Sequence, residues 1–284
     1  MLDGQWPTGG CEYCKNIEDA GGVSDRLMML NIPDLTPPEL DNDLTEIIVT
    51  PRIVEIYFDN VCNMSCIYCS DRYSSRIQQE NSKFGRYEDL DSGLVIENLT
   101  KKHNDFEELH KSFWQWLDVN YQTTKRFHIA GGEPFYQRQF ETFLEFFEVN
   151  ALPNLEFNIV TNLMLPLSKL KGYVERIKDL IVHKNISRLD LTASIDCWGP
   201  QQEFVRYGLD LSQWQENFEY LIDQRWIKLN INNAISVLSI KTLPELLVRL
   251  NNWNKNRKIE HYFSKVFDPT YLAPDILGIE EFKD

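Results

Sequence analysis

The chain has 284 residues, 43% hydrophobic and 25% charged, the balance of a globular protein, and no apolar run approaches the ~20 residues a membrane helix needs. Forty-three acidic against twenty-nine basic residues give a net charge of −14, without the clustered Lys and Arg that neutralise phosphates, which argues against nucleic acid as a partner. The start, Met1-Leu2-Asp3-Gly4, has neither the basic nor the apolar region of a secretory leader, so the expected location is cytoplasmic, with no membrane association.

Residues 1–50 hold ten acids and two bases and are broken by Gly9-Gly10, Gly21-Gly22 and Pro37-Pro38. Little regular structure is expected there beyond a helical turn near Asp25–Asn31. From Pro51 the pattern changes. Arg52–Phe58 is β-branched and aromatic, as in a buried strand. Residues 92–121 read as a long helix capped by Asp91 or Ser92. Phe127–Ala130 is a second strand, closed by Gly131-Gly132. Gln137–Val149 is a helix with Phe140, Phe143, Leu144 and Phe147 on one face. Glu156–Thr161 is a third strand, and residues 168–183 form a helix with Leu170, Val174, Ile177 and Ile181 at helical spacing. Arg188–Ile195 alternates as a fourth strand, followed by a helix over 212–225. Ile227–Ile235, Leu243–Asn254 and Ile259–Phe267 read as strand, helix, strand. Strands alternating with helices imply a parallel sheet. Six such units are two short of a closed eight-fold barrel, so the expected fold is α/β, an open, partial β/α barrel with an irregular N-terminal extension.

Five of the six cysteines fall in two tight clusters, Cys11/Cys14 and Cys62/Cys66/Cys69, with Cys197 apart. In a reducing compartment such clusters bind metal more often than they form disulfides. Cys62-Asn63-Met64-Ser65-Cys66-Ile67-Tyr68-Cys69 follows the first strand directly. Zinc sites and ordinary ferredoxin clusters want four protein ligands, and no fourth Cys or His is at a sensible local spacing, the nearest downstream being His103. Three thiolates on a cubane leave one iron open for chemistry. The other reading of the triplet is a structural zinc loop completed from elsewhere in the chain.

The C-x-x-x-C-x-x-C spacing, with an aromatic before the last Cys, resembles the cluster loop of the radical S-adenosylmethionine (SAM) superfamily. That resemblance implies a [4Fe–4S] cluster on Cys62, Cys66 and Cys69, with the open iron taking the amino and carboxylate groups of SAM and Tyr68 against its adenine. It implies reductive cleavage of SAM to a 5′-deoxyadenosyl radical that abstracts hydrogen from a substrate, with electrons from a donor such as flavodoxin or ferredoxin. Gly131-Gly132-Glu133-Pro134, 62 residues after Cys69, resembles the family's G-G-E-P, which holds the SAM amino group. Its glycines allow close backbone approach to a ligand, and Pro134 starts the next segment. Thr161-Asn162 is similar to the family's T-N-G, with Leu163 in place of Gly. Ser194-Ile195-Asp196 is similar to its S-x-D, whose Ser contacts SAM. Each is equally a polar strand-end turn, but all fall where β/α barrels carry their active sites. His128 occupies a position where related enzymes bind substrate, although a His in a strand is more often a packing residue. Cys197, beside Asp196, reads first as an ordinary buried thiol, with a radical relay or a cluster ligand as the other readings.

The resemblance covers roughly residues 51–268, leaving a tail at 269–284. Arg206-Tyr207-Gly208 and the run to Phe218 resemble the subgroup with twitch or SPASM auxiliary-cluster domains. Cys11-x-x-Cys14 with Glu18, Gly22, Ser24 and Arg26 resembles the end of such a segment, which makes Cys11 and Cys14 candidate ligands of a possible second iron–sulfur cluster. Two thiols cannot hold a cluster unaided; a zinc half-site or free thiols are the other readings. The expected function is a radical SAM enzyme acting on a peptide or a small metabolite. The alternatives are a radical SAM enzyme that modifies a nucleotide, and a non-catalytic metal-binding module.

Overall fold

Polar and apolar residues alternate in Arg126–Ile129, residues 156–159 and Arg188–Ser194, and the apolar set of each is buried. That is the signature of strands with one face on a core. The computed structural model describes residue 6 and residues 11–30, 50–85 and 103–278. The chain divides into two compact units, Met1–Arg52 and Ile53–Asp284.

The first unit carries α1 (Glu12–Asp19) and α2 (Asp25–Leu30). The second helix matches the expected turn near Asp25. The first does not match the expectation of irregular chain: Glu12 lies in its first turn, where an acid suits the helix dipole, and no breaker occurs before Gly21-Gly22. Gly9-Gly10 and Pro37-Pro38 lie outside the described residues.

The second unit runs β1 (Ile53–Ile56), β2 (Ser65–Cys66), α3 (Ser75–Phe84), α4 (His103–Asn120), β3 (Arg126–Ile129), α5 (Arg138–Val149), β4 (Glu156–Thr161) and α6 (Leu167–Val182). It continues with β5 (Arg188–Ser194), α7 (Pro200–Val205), β6 (Arg206–Tyr207), α8 (Leu211–Asp223), β7 (Lys228–Ile235), α9 (Leu243–Asn254) and β8 (Glu260–Lys265). Six strands form one parallel sheet in the order β1-β3-β4-β5-β7-β8, so neighbours in sequence are neighbours in space. This is the α/β, partial-barrel order, with β1 and β8 at its ends. The expected 92–121 helix is present over His103–Asn120, and its proposed cap at Asp91 or Ser92 lies outside the described residues.

One face of the sheet is dry. Phe127, Ile129, Phe157, Ile159, Leu189 and Leu191 meet Phe140, Phe143, Leu144 and Phe147 of α5 and Leu170, Val174 and Ile177 of α6 in one buried cluster. Phe143 sets its ring edge to face against Phe127 at 5.0 Å and lies 5.2 Å from Phe157. The other face is polar. Strand register puts Glu55, His128, Asn158, Asp190 and Lys228 in one row across five strands. At the N-terminal edge, the first residues of β3, β4, β5, β7 and β8 are Arg126, Glu156, Arg188, Lys228 and Glu260. With Asp190 they form a chain of ion pairs: Arg126–Glu156 (2.6 Å), Glu156–Arg188 (3.1 Å), Arg188–Asp190 (3.2 Å), Asp190–Lys228 (3.4 Å) and Lys228–Glu260 (3.1 Å).

Candidate functional site

The cysteine loop leaves the C-terminal end of β1 and is held from below by the start of α3. Ser74 caps that helix, accepting from Ile77 N (3.3 Å), while its hydroxyl donates to Met64 O (2.7 Å). Ser75 accepts from Cys62 N (3.1 Å) and donates to Cys62 O (3.3 Å). The sequence reading missed α3 and the short ribbon in which β2 pairs antiparallel with β6, opposing Cys66 to Arg206. Arg206 lies ten residues beyond the S-x-D turn, and only this pairing reveals its place beside the thiols.

Cys62, Cys66 and Cys69 are free and half-buried. Burial pushes the Cys62 thiol up to about 11 and that of Cys66 up to about 12, and also raises Cys69. Cys62 and Cys69 lie near enough to raise Cys66 further, and the Arg206 guanidinium opposes the rise at all three. In the metal-free protein all three are therefore thiols at neutral pH, and metal uptake must release protons. Among the described residues, no three His, Cys, Asp or Glu side chains are grouped to hold a single metal ion. Three soft sulfur donors in one short loop fit the donor set of an iron–sulfur cubane.

Tyr68 donates from its hydroxyl to Asp196 Oδ2 (2.6 Å). Asp196 is fully buried, grips Arg206 through both oxygens (2.9 and 2.8 Å) and accepts from Ala234 N (2.8 Å). Gln202, also fully buried, accepts from the backbone N–H of Asp196 and Cys197 through one oxygen. The S-x-D turn is thus fixed from four directions, and through Tyr68 it fixes the cysteine loop. Ser194 is buried at the end of β5, in register with Asn232.

Glu133 is the second buried carboxylate. It accepts from Thr161 Oγ1 (2.8 Å), Asn162 N (2.7 Å) and Phe135 N (3.3 Å). Burial pushes its carboxyl up to about 7 against the pull of those donors. Its own N–H donates to Val61 O (2.8 Å), which ties the Gly131–Pro134 turn to the start of the cysteine loop. Gly131 and Gly132 both have positive φ (77° and 55°). A Cβ at Gly131 would overlap the Tyr57 ring and one at Gly132 the Val61 carbonyl, so the close approach they permit is to this chain itself. Pro134 opens a 3-10 turn, Pro134–Tyr136. Gln137 donates to both Asp59 O (2.9 Å) and Gly131 O (2.8 Å), a brace with no sequence signal.

Thr161 ends β4 and Asn162 follows it directly. Leu163, where the resembling motif has Gly, keeps the left-handed backbone (φ 56°) and is fully buried. His128 is half-buried, its Nδ1 2.9 Å from Asn158 Oδ1, in the polar row. In the N-terminal unit, Cys11 precedes α1 and Cys14 is in its first turn, both free and part-exposed. Glu18 there accepts from Ser24 and from Arg26 (3.2 and 2.5 Å), while Arg26 lies over the Trp6 ring (5.0 Å). No described helix is long and apolar enough to cross a membrane.

No protein-family model matches the chain, and no curated protein does. A solved structure described as native anSMEcpe with bound AdoMet is similar over 78% of this chain and 56% of its own, at 17% identity and a TM-score of 0.46. A second, with bound AdoMet and Cp18Cys peptide, is similar over 77% and 51%, at 17% identity and a TM-score of 0.46. The chain spans about half the length of these structures.

Proposed function

We propose that this chain is a radical SAM enzyme that acts on a peptide or a small metabolite. One observation carries the reading: the Cys62–Cys69 loop lies at the C-terminal edge of a parallel α/β sheet, hydrogen-bonded to strand ends that supply Glu133, Asn162 and Asp196. Cys62, Cys66 and Cys69 would hold a [4Fe–4S] cluster. Tyr68, Gly131, Gly132, Glu133, Pro134, Thr161, Asn162, Ser194 and Asp196 would form the SAM cradle. When bound, the cluster supplies the electron that splits the sulfonium of SAM and starts hydrogen abstraction.

The chain's own part is to orient and to exclude water. The bond from Tyr68 to Asp196 fixes the ring proposed to meet adenine. Glu133 locks the turns after β3 and β4 to each other, so the cradle keeps its shape before SAM enters. His128 and Asn158 offer polar contacts for substrate below that cradle. A flavodoxin- or ferredoxin-like donor would reduce the cluster.

Residues 51–268 would form the catalytic domain and 269–284 a tail. The segment 1–50 would be a remnant of a twitch/SPASM-like auxiliary domain, in which Cys11 and Cys14 are too few for a second cubane. The test is turnover: reduced, anaerobically reconstituted enzyme releases 5′-deoxyadenosine and methionine from SAM even without substrate. Release no higher than from the Cys66→Ala variant would overturn the assignment. Glu133→Ala weakens SAM binding while retaining iron; equal SAM affinity would remove Glu133 from the cradle.

A further inference from the structure

Four residues after β4 form a turn whose bonds run back to the cysteine loop. Asn162 Nδ2 donates to Asn63 Oδ1 (2.9 Å), and Asn63 Nδ2 donates to Met164 O (2.6 Å). Met164 N closes the ring by donating to Asn162 Oδ1 (2.8 Å). That last bond fixes which end of the Asn162 amide is oxygen, since a backbone N–H needs an acceptor. The remaining Nδ2 hydrogen of Asn162 is directed at Cys62 Sγ, 3.9 Å away. Its backbone N–H is held by buried Glu133, and Leu163 N donates to Thr161 Oγ1 (3.0 Å). The turn keeps a left-handed Leu163, a strained conformation for a non-glycine residue that persists only when its surroundings over-determine it. Those surroundings are the bonds that aim Asn162 at Cys62.

We infer that Asn162 is a positioning residue for Cys62, orienting its sulfur for iron with an N–H···S bond. The inference rests on the radical SAM reading and alters one part of it, since the side chain of Asn162 serves the cluster and leaves SAM to its neighbours. Partners of this kind hold first ligands in place and typically govern metal affinity by ten- to a hundredfold, and hydrogen bonds to sulfur help set cluster potential. Cys66 and Cys69 are held differently, through the β2–β6 ribbon and the Tyr68–Asp196–Arg206 chain.

Asn162→Leu keeps the shape and removes both donors. In the full chain purified without iron, iodoacetamide labelling at one pH, resolved by mass spectrometry, should slow severalfold at Cys62, whose sulfur loses its N–H donor, while Cys66 and Cys69 stay within twofold. After reconstitution, the variant should lose iron to a chelator about tenfold faster and show a more negative cluster potential. Asn63→Ala removes the anchor without touching Asn162 and should act in the same direction with smaller size; it decides the matter if Asn162→Leu does not fold. Unchanged or faster Cys62 labelling, or an equal change at all three cysteines, would overturn the role of Asn162. Failure of the wild type to take up iron would count against the proposed function and leave the labelling result to judge Asn162 alone.

Discussion

The two edges of the sheet handle charge in opposite ways. At the N-terminal edge six charged groups run Arg126–Glu156–Arg188–Asp190–Lys228–Glu260, and most are partly open to solvent, with Arg188 45% and Lys228 41% exposed. At the C-terminal edge two carboxylates, Glu133 and Asp196, are 0% exposed. One is gripped by Arg206; the other is held by N–H and O–H donors alone. Solvent-screened pairs contribute little each and tolerate change, whereas a buried carboxylate depends on every donor around it. In a β/α sheet the tolerant edge is the one that serves stability, and the exacting edge is the one that carries chemistry.

The largest effect should come from breaking the Asp196–Arg206 pair. Arg206→Met leaves a buried carboxylate without its cation and should cost about 3–5 kcal/mol in urea unfolding. Asp196→Asn combined with Arg206→Met should recover much of that loss, and failure to recover would mean that Arg206 acts mainly through packing. Glu133 comes next. Its folded carboxyl titrates near 7 against an ordinary 4.5 because burial disfavours the charge. The native state therefore holds a proton that the unfolded chain has lost between those values, and stability should fall as pH rises through that window, by roughly 3 kcal/mol. Glu133→Gln should flatten the wild-type decline between pH 5 and 8; an unchanged slope would assign the decline to other groups. The smallest effect belongs to the N-terminal edge. Arg188→Ala should cost no more than about 1 kcal/mol, less in high salt, and leave the cysteine loop untouched. A loss comparable to that of Arg206→Met would erase the contrast between the edges.

The contrast also tracks what could be read from sequence. Strands such as Glu156–Thr161 and helices such as Leu243–Asn254 were legible because burial imposes a period on the chain. The strand-end motifs were legible because glycine, proline and cysteine are used for specific geometric and chemical reasons. Partnerships between distant positions were not. Nothing local says that Tyr68 bonds Asp196, 128 positions away, or that Asn162 reaches Asn63. Helix α3 escaped because RIQQENSKF has few apolar residues to mark a face. Gly131 and Gly132 were recognised as sites of close approach, but the Tyr57 and Val61 groups they accommodate emerge only from the fold.

The central claim, one cubane on Cys62, Cys66 and Cys69, is tested most directly by metal analysis of anaerobically reconstituted protein. It predicts about four irons and four sulfides per chain with broad absorbance near ~400 nm, retained in Cys11→Ala/Cys14→Ala and lost in Cys66→Ala. Stoichiometric zinc without sulfide, or iron content unchanged in Cys66→Ala, would contradict it.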